Sequence, residues 1–241
     1  MPNLKQIIKN LATELGWEIR RYHPAVSEIP RMYQSLAYHQ IDLVLDVGAN
    51  VGQYAMLLRK LGYAGKIVSF EPLSSAYSRL KTISDKDSLW EVAPRTAIGN
   101  ENNEIEINIS ANSQSSSVLG ILDSHLKAAS NSAYVGSETV KLSRLDTVAQ
   151  GYLDNASSVF LKIDVQGFEK QVLEGATKIL PQIKGIEIEL SLVPLYQGQP
   201  LFQEMLDLLD GLGYELYAVI PGLADPKTGR LLQMDGIFFR P

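Results

Sequence analysis

Short apolar runs alternate with amphipathic stretches from about residue 42 onward in this chain of 241 residues. The apolar runs have the length of buried strands, and the stretches between them carry apolar residues at helical spacing. Strands are predicted near 42–47, 66–70, 88–93, 158–163 and 185–190, and helices near 51–61, 74–83, 168–179 and 201–211. This alternation predicts an α/β fold built on a doubly wound, mostly parallel sheet.

The two ends of the chain depart from this alternation. Strands predicted at 214–220 and 235–239 are joined by a turn-rich segment without a crossover helix, so we expect an antiparallel C-terminal strand pair. Near the N-terminus, apolar positions at helical spacing predict one amphipathic helix over 4–15 and another over 29–38.

These patterns divide the chain into two parts. Residues 1–40 form an N-terminal helical extension, and residues 41–241 form the main domain. We expect the extension to pack on the main domain, either as a lid or as the surface of a homodimer. Within the main domain, residues 100–156 are a longer polar insert between the third and fourth strands, with a strand expected over 104–109.

Composition narrows the functional classes. The formal net charge is −5, which gives no electrostatic footprint for nucleic acid. The chain has no cysteine, so disulfide, zinc-thiolate and thiol chemistry are excluded. No apolar run approaches the length of a membrane span, and the N-terminus lacks a signal-peptide pattern. We expect a cytoplasmic protein that acts on a small molecule and binds neither nucleic acid nor a membrane.

The first two strands of the main domain end in residues typical of a nucleoside site. The first strand runs into Asp46-Val47-Gly48-Ala49-Asn50-Val51-Gly52, and the second ends in Phe70-Glu71-Pro72. Gly48 and Gly52 allow a sharp turn and close approach of a ligand, and Asn50 is expected to cap the helix that follows. Glu71 can accept hydrogen bonds from both hydroxyls of a ribose, and Pro72 fixes the turn out of the strand.

The glycine pattern also discriminates between cofactors. A dinucleotide site has a third glycine, but this chain has Gln53 near that position. Asp46, just before the turn, would repel a pyrophosphate and attract a cation. We therefore expect the cofactor to be S-adenosylmethionine. The alternative functions are an NAD(P)-dependent oxidoreductase and a non-catalytic cofactor-binding protein.

A second group of charged residues lies at the ends of the fourth and fifth strands. Lys162 and Asp164 share one face of the fourth strand, and Glu187 and Glu189 share one face of the fifth. We expect Asp164 to lie near Glu189, and Lys162 to lie near Glu187 as its buried partner. Two close carboxylates could bind Mg²⁺ or raise the pKa of one of them enough to make a base, and the sequence leaves both open.

With these motifs, the chain resembles the FkbM-type family of class I S-adenosylmethionine-dependent methyltransferases. The resemblance rests on the 46–52 turn, Phe70-Glu71-Pro72, Ala97-Ile98-Gly99, the serines at 115–117, Lys162-Ile163-Asp164-Val165-Gln166-Gly167 with Glu169, and Thr228-Gly229-Arg230 ahead of Asp235. The family usually has glutamate where this chain has Gln166. The resemblance implies a Rossmann-like fold and methyl transfer to a hydroxyl, typically on a sugar, polyketide or other secondary metabolite.

Candidate roles follow for individual residues. Asp164 or Glu189 is the preferred base, and His125 is a second candidate whose alternative is a solvated position in the insert. Ala97 and Ile98 are expected to line the adenine, with ordinary packing as the alternative. For binding of the acceptor we expect Ser116, Tyr196 and Arg230, since loops at this edge of a sheet often carry function.

Overall fold

A computed structural model describes residues 4–241 of the protein. Its helices are α1 (Leu4–Glu14), α2 (Glu28–Tyr38), α3 (Gln53–Leu61), α4 (Ser74–Ser84), α5 (Asp123–Ala128), α6 (Leu145–Val148), α7 (Gln150–Leu153), α8 (Glu169–Glu174) and α9 (Phe202–Gly211). Its strands are β1 (Leu43–Val47), β2 (Lys66–Phe70), β3 (Trp90–Val92), β4 (Ala97–Gly99), β5 (Asn103–Ser110), β6 (Tyr134–Arg144), β7 (Val159–Ile163), β8 (Ile183–Ser191), β9 (Glu215–Pro221) and β10 (Gln233–Phe239).

The main sheet has seven strands in the order β3-β2-β1-β7-β8-β10-β9. The first five strands in this order run parallel. β10 is antiparallel to both β8 and β9. The chain leaves β1 toward β2 and β3, and later resumes on the other side of β1 with β7 and β8. A topological switch point therefore lies between β1 and β7, as predicted for a doubly wound Rossmann-like sheet.

The central strands β1 and β7 are buried on both faces. All five residues of β1 are buried. Leu43, Leu45 and Val47 pack in the larger apolar cluster with Leu161, whereas Val44 packs in the second cluster, which includes residues of α2 and α3. This period-two division places one helix layer on each face of the sheet.

The polar insert contains a second sheet, with strand order β4-β6-β5. The strand expected over 104–109 is β5, but β4 and the long strand β6 were not predicted. The first half of β6 is mostly exposed, so it lacks the alternation of apolar and polar residues that identifies a half-buried strand. Leu73, Ala97, Ile107 and Leu142 form an apolar cluster that attaches this sheet to the main domain.

The two helices of the N-terminal extension differ in packing. In α2, Met32 and Leu36 are buried against the main domain. In α1, no side chain is buried, so the expectation that the whole extension packs on the main domain is wrong for this helix. Within residues 4–241, no helix combines the length and the apolar character needed to cross a membrane.

Gly175 is expected to be required for the contact between α8 and β4. A Cβ atom at this position would lie 1.9 Å from the backbone oxygen of Gly99. A backbone atom within a strand cannot move aside as a flexible side chain could. Gly175→Ala should therefore lower the free energy of unfolding by about 1–3 kcal/mol, measured by urea titration. Gly151→Ala is the matched control because nothing lies within 4 Å of its Cβ position. Equal stability of the two variants would contradict this packing.

Candidate active site

A cavity of about 690 Å³ opens at the carboxyl edge of the main sheet, at the switch point. One side is formed by the turns after β1 and β2, and another by the ends of β7, β8 and β10. The insert closes it with residues between 107 and 132. Large cavities at this position are the usual ligand sites of doubly wound sheets.

The turn after β1 packs directly on β7. Gly48 has a φ of +81°, and a Cβ atom there would lie 1.8 Å from the backbone oxygen of Asp164. The amide of Asp164 in turn donates to the Val47 oxygen at 3.0 Å. Only glycine fits at position 48, which brings the two strand ends together.

Asn50 is not the N-cap of α3, contrary to prediction. Gly52 is the residue that precedes the helix, with a φ of 90°, and Asn50 lies earlier in the turn with a φ of 48°. The side-chain oxygen of Asn50 accepts from the Val51 amide at 2.8 Å. Two glycines make this turn tight enough that the polar residue falls outside the capping position, although Asn50 still lines the cavity.

Glu71 is held rigidly at the end of β2. Its Oε2 accepts from the Asn50 amide at 2.8 Å, and its Oε1 accepts from the Leu73 amide at 2.8 Å. Burial raises the pKa of Glu71 to about 7, although both amides favour the ionised form. The carboxylate, with Pro72, Ala97 and Ile98, lines the cavity. Glu71 therefore keeps lone pairs for a ligand in a fixed orientation.

Asp46, which was expected to attract a cationic cofactor, lies beneath the cavity and does not line it. Its side chain is fully buried in β1, where Oδ2 accepts from the Ser69 hydroxyl at 3.3 Å. Oδ1 lies 3.6 Å from the ammonium of Lys162. Because β1 is buried on both faces, the Asp46 side chain packs inside the protein. It can act on a ligand in the cavity only through the electrostatic field of its charge.

Lys162 is paired with Asp164 and Asp46, and not with Glu187 as expected. Its ammonium lies 3.1 Å from Asp164 Oδ2. Burial alone would lower the Lys162 pKa, but the charges of Asp164 and Asp46 raise it above its usual value. Glu187 is the register partner of Lys162 on β8, but its Oε2 accepts from the Tyr54 hydroxyl at 2.7 Å.

Asp164 and Glu189 are brought together through Gln166, as the shared strand edge predicted. The Nε2 of Gln166 donates to Asp164 Oδ1 at 2.7 Å and to Glu189 Oε2 at 2.9 Å. Burial, reinforced by the charge of Asp164, raises the pKa of Glu189 well above its usual value. Both carboxylates line the cavity, so a group held there could lose a proton to either.

His125 is buried in the cavity wall, which excludes the solvated position given as its alternative. Its ring is only 3% exposed, and it contacts the Tyr196 ring edge-on with the centroids 5.1 Å apart. Burial lowers the pKa of His125, so the neutral imidazole is favoured. Its Nδ1 has no hydrogen-bond partner within residues 4–241.

Tyr196 and Arg230 do not line the cavity, so two of the three expected acceptor contacts are absent. Tyr196 is fully buried, and its hydroxyl donates to Gln166 Oε1 at 2.6 Å. Arg230 is exposed on the loop between β9 and β10. Ser116 does line the cavity, and its hydroxyl donates to the Ser113 oxygen at 2.9 Å. Loop sequences carry no periodicity that would separate buried from exposed positions.

Several wall residues were not predicted as site residues. Tyr54 on α3, Asp235 on β10, and Asn112, Asn131 and Ser132 in the insert all line the cavity. Asp235 is the register partner of Glu189 in the antiparallel pair of β10 with β8, so strand pairing could have found it. The three insert residues follow no pattern that points to the sheet edge.

Across residues 4–241, no group of three or more His, Asp or Glu side chains is placed to hold a metal ion. The Mg²⁺ site on two carboxylates that the sequence left open stays a prediction.

Glu187 is expected to make the ligand-free protein less stable as the pH rises. Burial and the charge of Asp235 raise its pKa to about 8 from 4.5. A carboxyl that titrates higher in the folded chain stabilises the fold while protonated, and this stabilisation is lost as the pH rises from the unfolded to the folded pKa. Glu187→Gln removes the loss and keeps an acceptor for Tyr54.

Urea unfolding between pH 4.5 and about pH 8 measures this effect. The E187Q variant should gain stability relative to the unmodified protein as the pH rises, by about 2 kcal/mol or more at the upper end. Glu215→Gln, at an exposed position of β9, should show no such trend. A difference for E187Q that stays constant with pH would refute the assignment.

Comparison with known proteins agrees with this geometry. The family described as "Methyltransferase FkbM domain" matches residues 46–216. A 2-O-methyltransferase, NoeI, from Sinorhizobium fredii (strain NBRC 101917 / NGR234) is 28% identical over 204 residues, which are 80% of this chain and 81% of NoeI.

Two solved structures superpose on most of this chain. The methyltransferase domain of bacterial CtHen1 superposes with a TM-score of 0.48 at 12% identity, over 88% of this chain and 96% of that domain. An rRNA methylase from Streptococcus thermophilus superposes with a TM-score of 0.46 at 13% identity, over 92% and 99%. Because the family match alone spans more than half of the sequence, this chain belongs to the FkbM methyltransferase family.

Proposed function

We propose that this protein transfers a methyl group from S-adenosylmethionine to a hydroxyl of a small acceptor, such as a sugar, a polyketide or another secondary metabolite. One observation carries the proposal. A single cavity contains both the glycine turn with Glu71, which suits a nucleoside, and the strand-end carboxylates Asp164 and Glu189, which suit proton removal.

The residues at the β1 and β2 ends fit the cofactor. Glu71 is fixed by two backbone amides and can accept from the ribose hydroxyls. Ala97 and Ile98 supply an apolar surface for the adenine. When bound, S-adenosylmethionine supplies an electrophilic methyl group on a positively charged sulfur. The surplus of carboxylates around the cavity favours such a cation.

The acceptor side of the cavity is polar. Asn112, Ser115, Ser116, Asn131 and Ser132 form one wall of hydroxyl and amide groups. Asn112 Nδ2 donates to the hydroxyls of both Ser115 and Ser132 at 3.0 Å, which orders this wall. Ordered hydroxyls and amides select an acceptor that can exchange hydrogen bonds with them, and a hydroxylated small molecule does so. The net charge of −5 supports a small acceptor over nucleic acid.

Glu189 is the better base of the two strand-end carboxylates. Asp164 accepts from Lys162 at Oδ2 and from Gln166 at Oδ1, so both of its oxygens already have donors. Glu189 accepts from Gln166 at one oxygen, and burial raises its pKa well above its usual value, so its carboxylate holds a proton more strongly. Methyl transfer to oxygen otherwise requires only in-line positioning, which the closed cavity supplies. The relative NoeI is named as a 2-O-methyltransferase, which supports oxygen as the acceptor atom.

Cofactor binding separates this function from that of a dehydrogenase. Calorimetry should show binding of S-adenosylhomocysteine and no binding of NADH. Glu71→Gln should weaken S-adenosylhomocysteine binding at least about tenfold, because the hydrogen bonds to a charged acceptor are lost. Glu91→Gln, at the exposed position of β3, should bind normally. Tight NADH binding without a response to S-adenosylhomocysteine would refute the proposal.

Transfer of a labelled methyl group to a panel of hydroxylated sugars and polyketides tests the base. Glu189→Gln should lower kcat by about 10²–10⁴-fold, the usual contribution of a general base, with unchanged affinity for S-adenosylhomocysteine. Glu106→Gln, on the exposed side of β5, is the control. If E189Q stays active and His125→Gln does not, His125 is the base instead.

A further inference from the structure

The side chain of Gln166 is fixed at three points. Its Nε2 uses both of its hydrogens, on Asp164 Oδ1 at 2.7 Å and Glu189 Oε2 at 2.9 Å. Its Oε1 accepts from the buried Tyr196 hydroxyl at 2.6 Å. Carboxylates accept hydrogen bonds and cannot donate them when ionised, so the orientation of this amide follows from its neighbours.

The backbone at this position is also held in place. Gln166 has a φ of 57°, in the region that non-glycine residues seldom adopt. The backbone oxygen of Gln166 accepts from the Ser117 hydroxyl at 2.6 Å. The insert and the loop after β8 therefore both attach to Gln166, and strain at this residue is maintained by contacts from two directions.

We propose that Gln166 is a positioning residue, whose neutral amide holds Asp164 and Glu189 side by side and directs Glu189 toward the acceptor hydroxyl. This inference rests on the proposed function for the identity of the base. It concerns the position at which the chain departs from the glutamate that the family usually has. The amide supplies two donors where a carboxylate would supply none.

A carboxylate at position 166 would face unfavourable surroundings. Four charged groups face Glu189. They are Lys162 on β7, Asp164 in the turn after β7, Glu169 on α8 and Asp235 on β10. Lys162 is the one cation among them, and it is paired with Asp164 and Asp46. A carboxyl between Asp164 and Glu189 would either add a negative charge, and supply no donor, or hold a proton, and supply one donor for two neighbours.

Two nearly isosteric variants test this role. Gln166→Glu adds the charge, and Gln166→Met removes the hydrogen bonds while keeping the length of the side chain. Gln199→Glu is the matched control. The side-chain oxygen of Gln199 accepts from the Leu195 amide at 2.8 Å within the loop after β8, and Gln199 does not line the cavity. It tests what a half-buried loop amide contributes to folding alone.

The primary measurement is the titration of the Glu189 carboxyl, followed by ¹³C NMR of protein labelled at the glutamate carboxyl and assigned with E189Q. In Q166E and Q166M the signal should titrate at a higher pH than in the unmodified protein, and in Q199E it should not move. In transfer assays, kcat should fall at least about tenfold in both variants, with the KM of the acceptor and the affinity for S-adenosylhomocysteine changed less than about threefold.

Three results have distinct meanings. Unchanged Glu189 titration in Q166E and Q166M would overturn the positioning role. Equal losses of thermal stability and kcat in Q166M and Q199E, with no change in the pH profile, would also overturn it in favour of folding alone. If the unmodified protein methylates no hydroxylated acceptor, the proposed function fails, while the NMR titration still decides the role of Gln166.

Discussion

The ion-pair group of the buried Lys162 and Asp46 with the partly exposed Asp164 lies at the switch point of the main sheet. Asp46 and Lys162 are register partners on β1 and β7, and their charged atoms lie 3.6 Å apart. Removing one partner of such a buried pair costs about 3–5 kcal/mol. A slip of one strand by one residue would turn one of these two side chains to the opposite face and separate it from its partner. The ion pair therefore specifies the register on which the edge of the cavity depends.

The parts of the site that depend on strand geometry could be predicted from the sequence. Parallel strands end at one edge, so Glu71, Asp164 and Glu189 had to come together once the strands were identified. The glycine turn was identified for a related reason, since a short turn between a buried strand and a helix needs residues without a Cβ atom. Period-two alternation then placed the correct faces of β7 and β8 toward the cavity.

The parts that depend on tertiary packing could not be predicted. Asp46 stands beside the motif in sequence, yet it points beneath the cavity because it belongs to a strand buried on both faces. Tyr196 and Arg230 lie in loops of similar polarity, but the first is fully buried and the second is exposed. Asn50 has the composition of a helix cap, and the geometry of two glycines displaced it. His125 is buried only because the insert folds over the sheet edge, which no local pattern reveals.

The division of charge within the cavity connects this packing to chemistry. Lys162 is paired with Asp46 and Asp164, and in the described part of the chain Glu187, Glu189 and Asp235 form no ion pair of their own. Their ionisation is opposed by burial and by one another, and their pKa values rise accordingly. A cofactor that brings a positive charge would favour ionisation of these carboxylates. In the proposed function, the charge that makes the methyl group electrophilic would also increase the fraction of Glu189 able to accept the proton of the attacking hydroxyl. Binding of the cofactor and ionisation of the base would then be coupled.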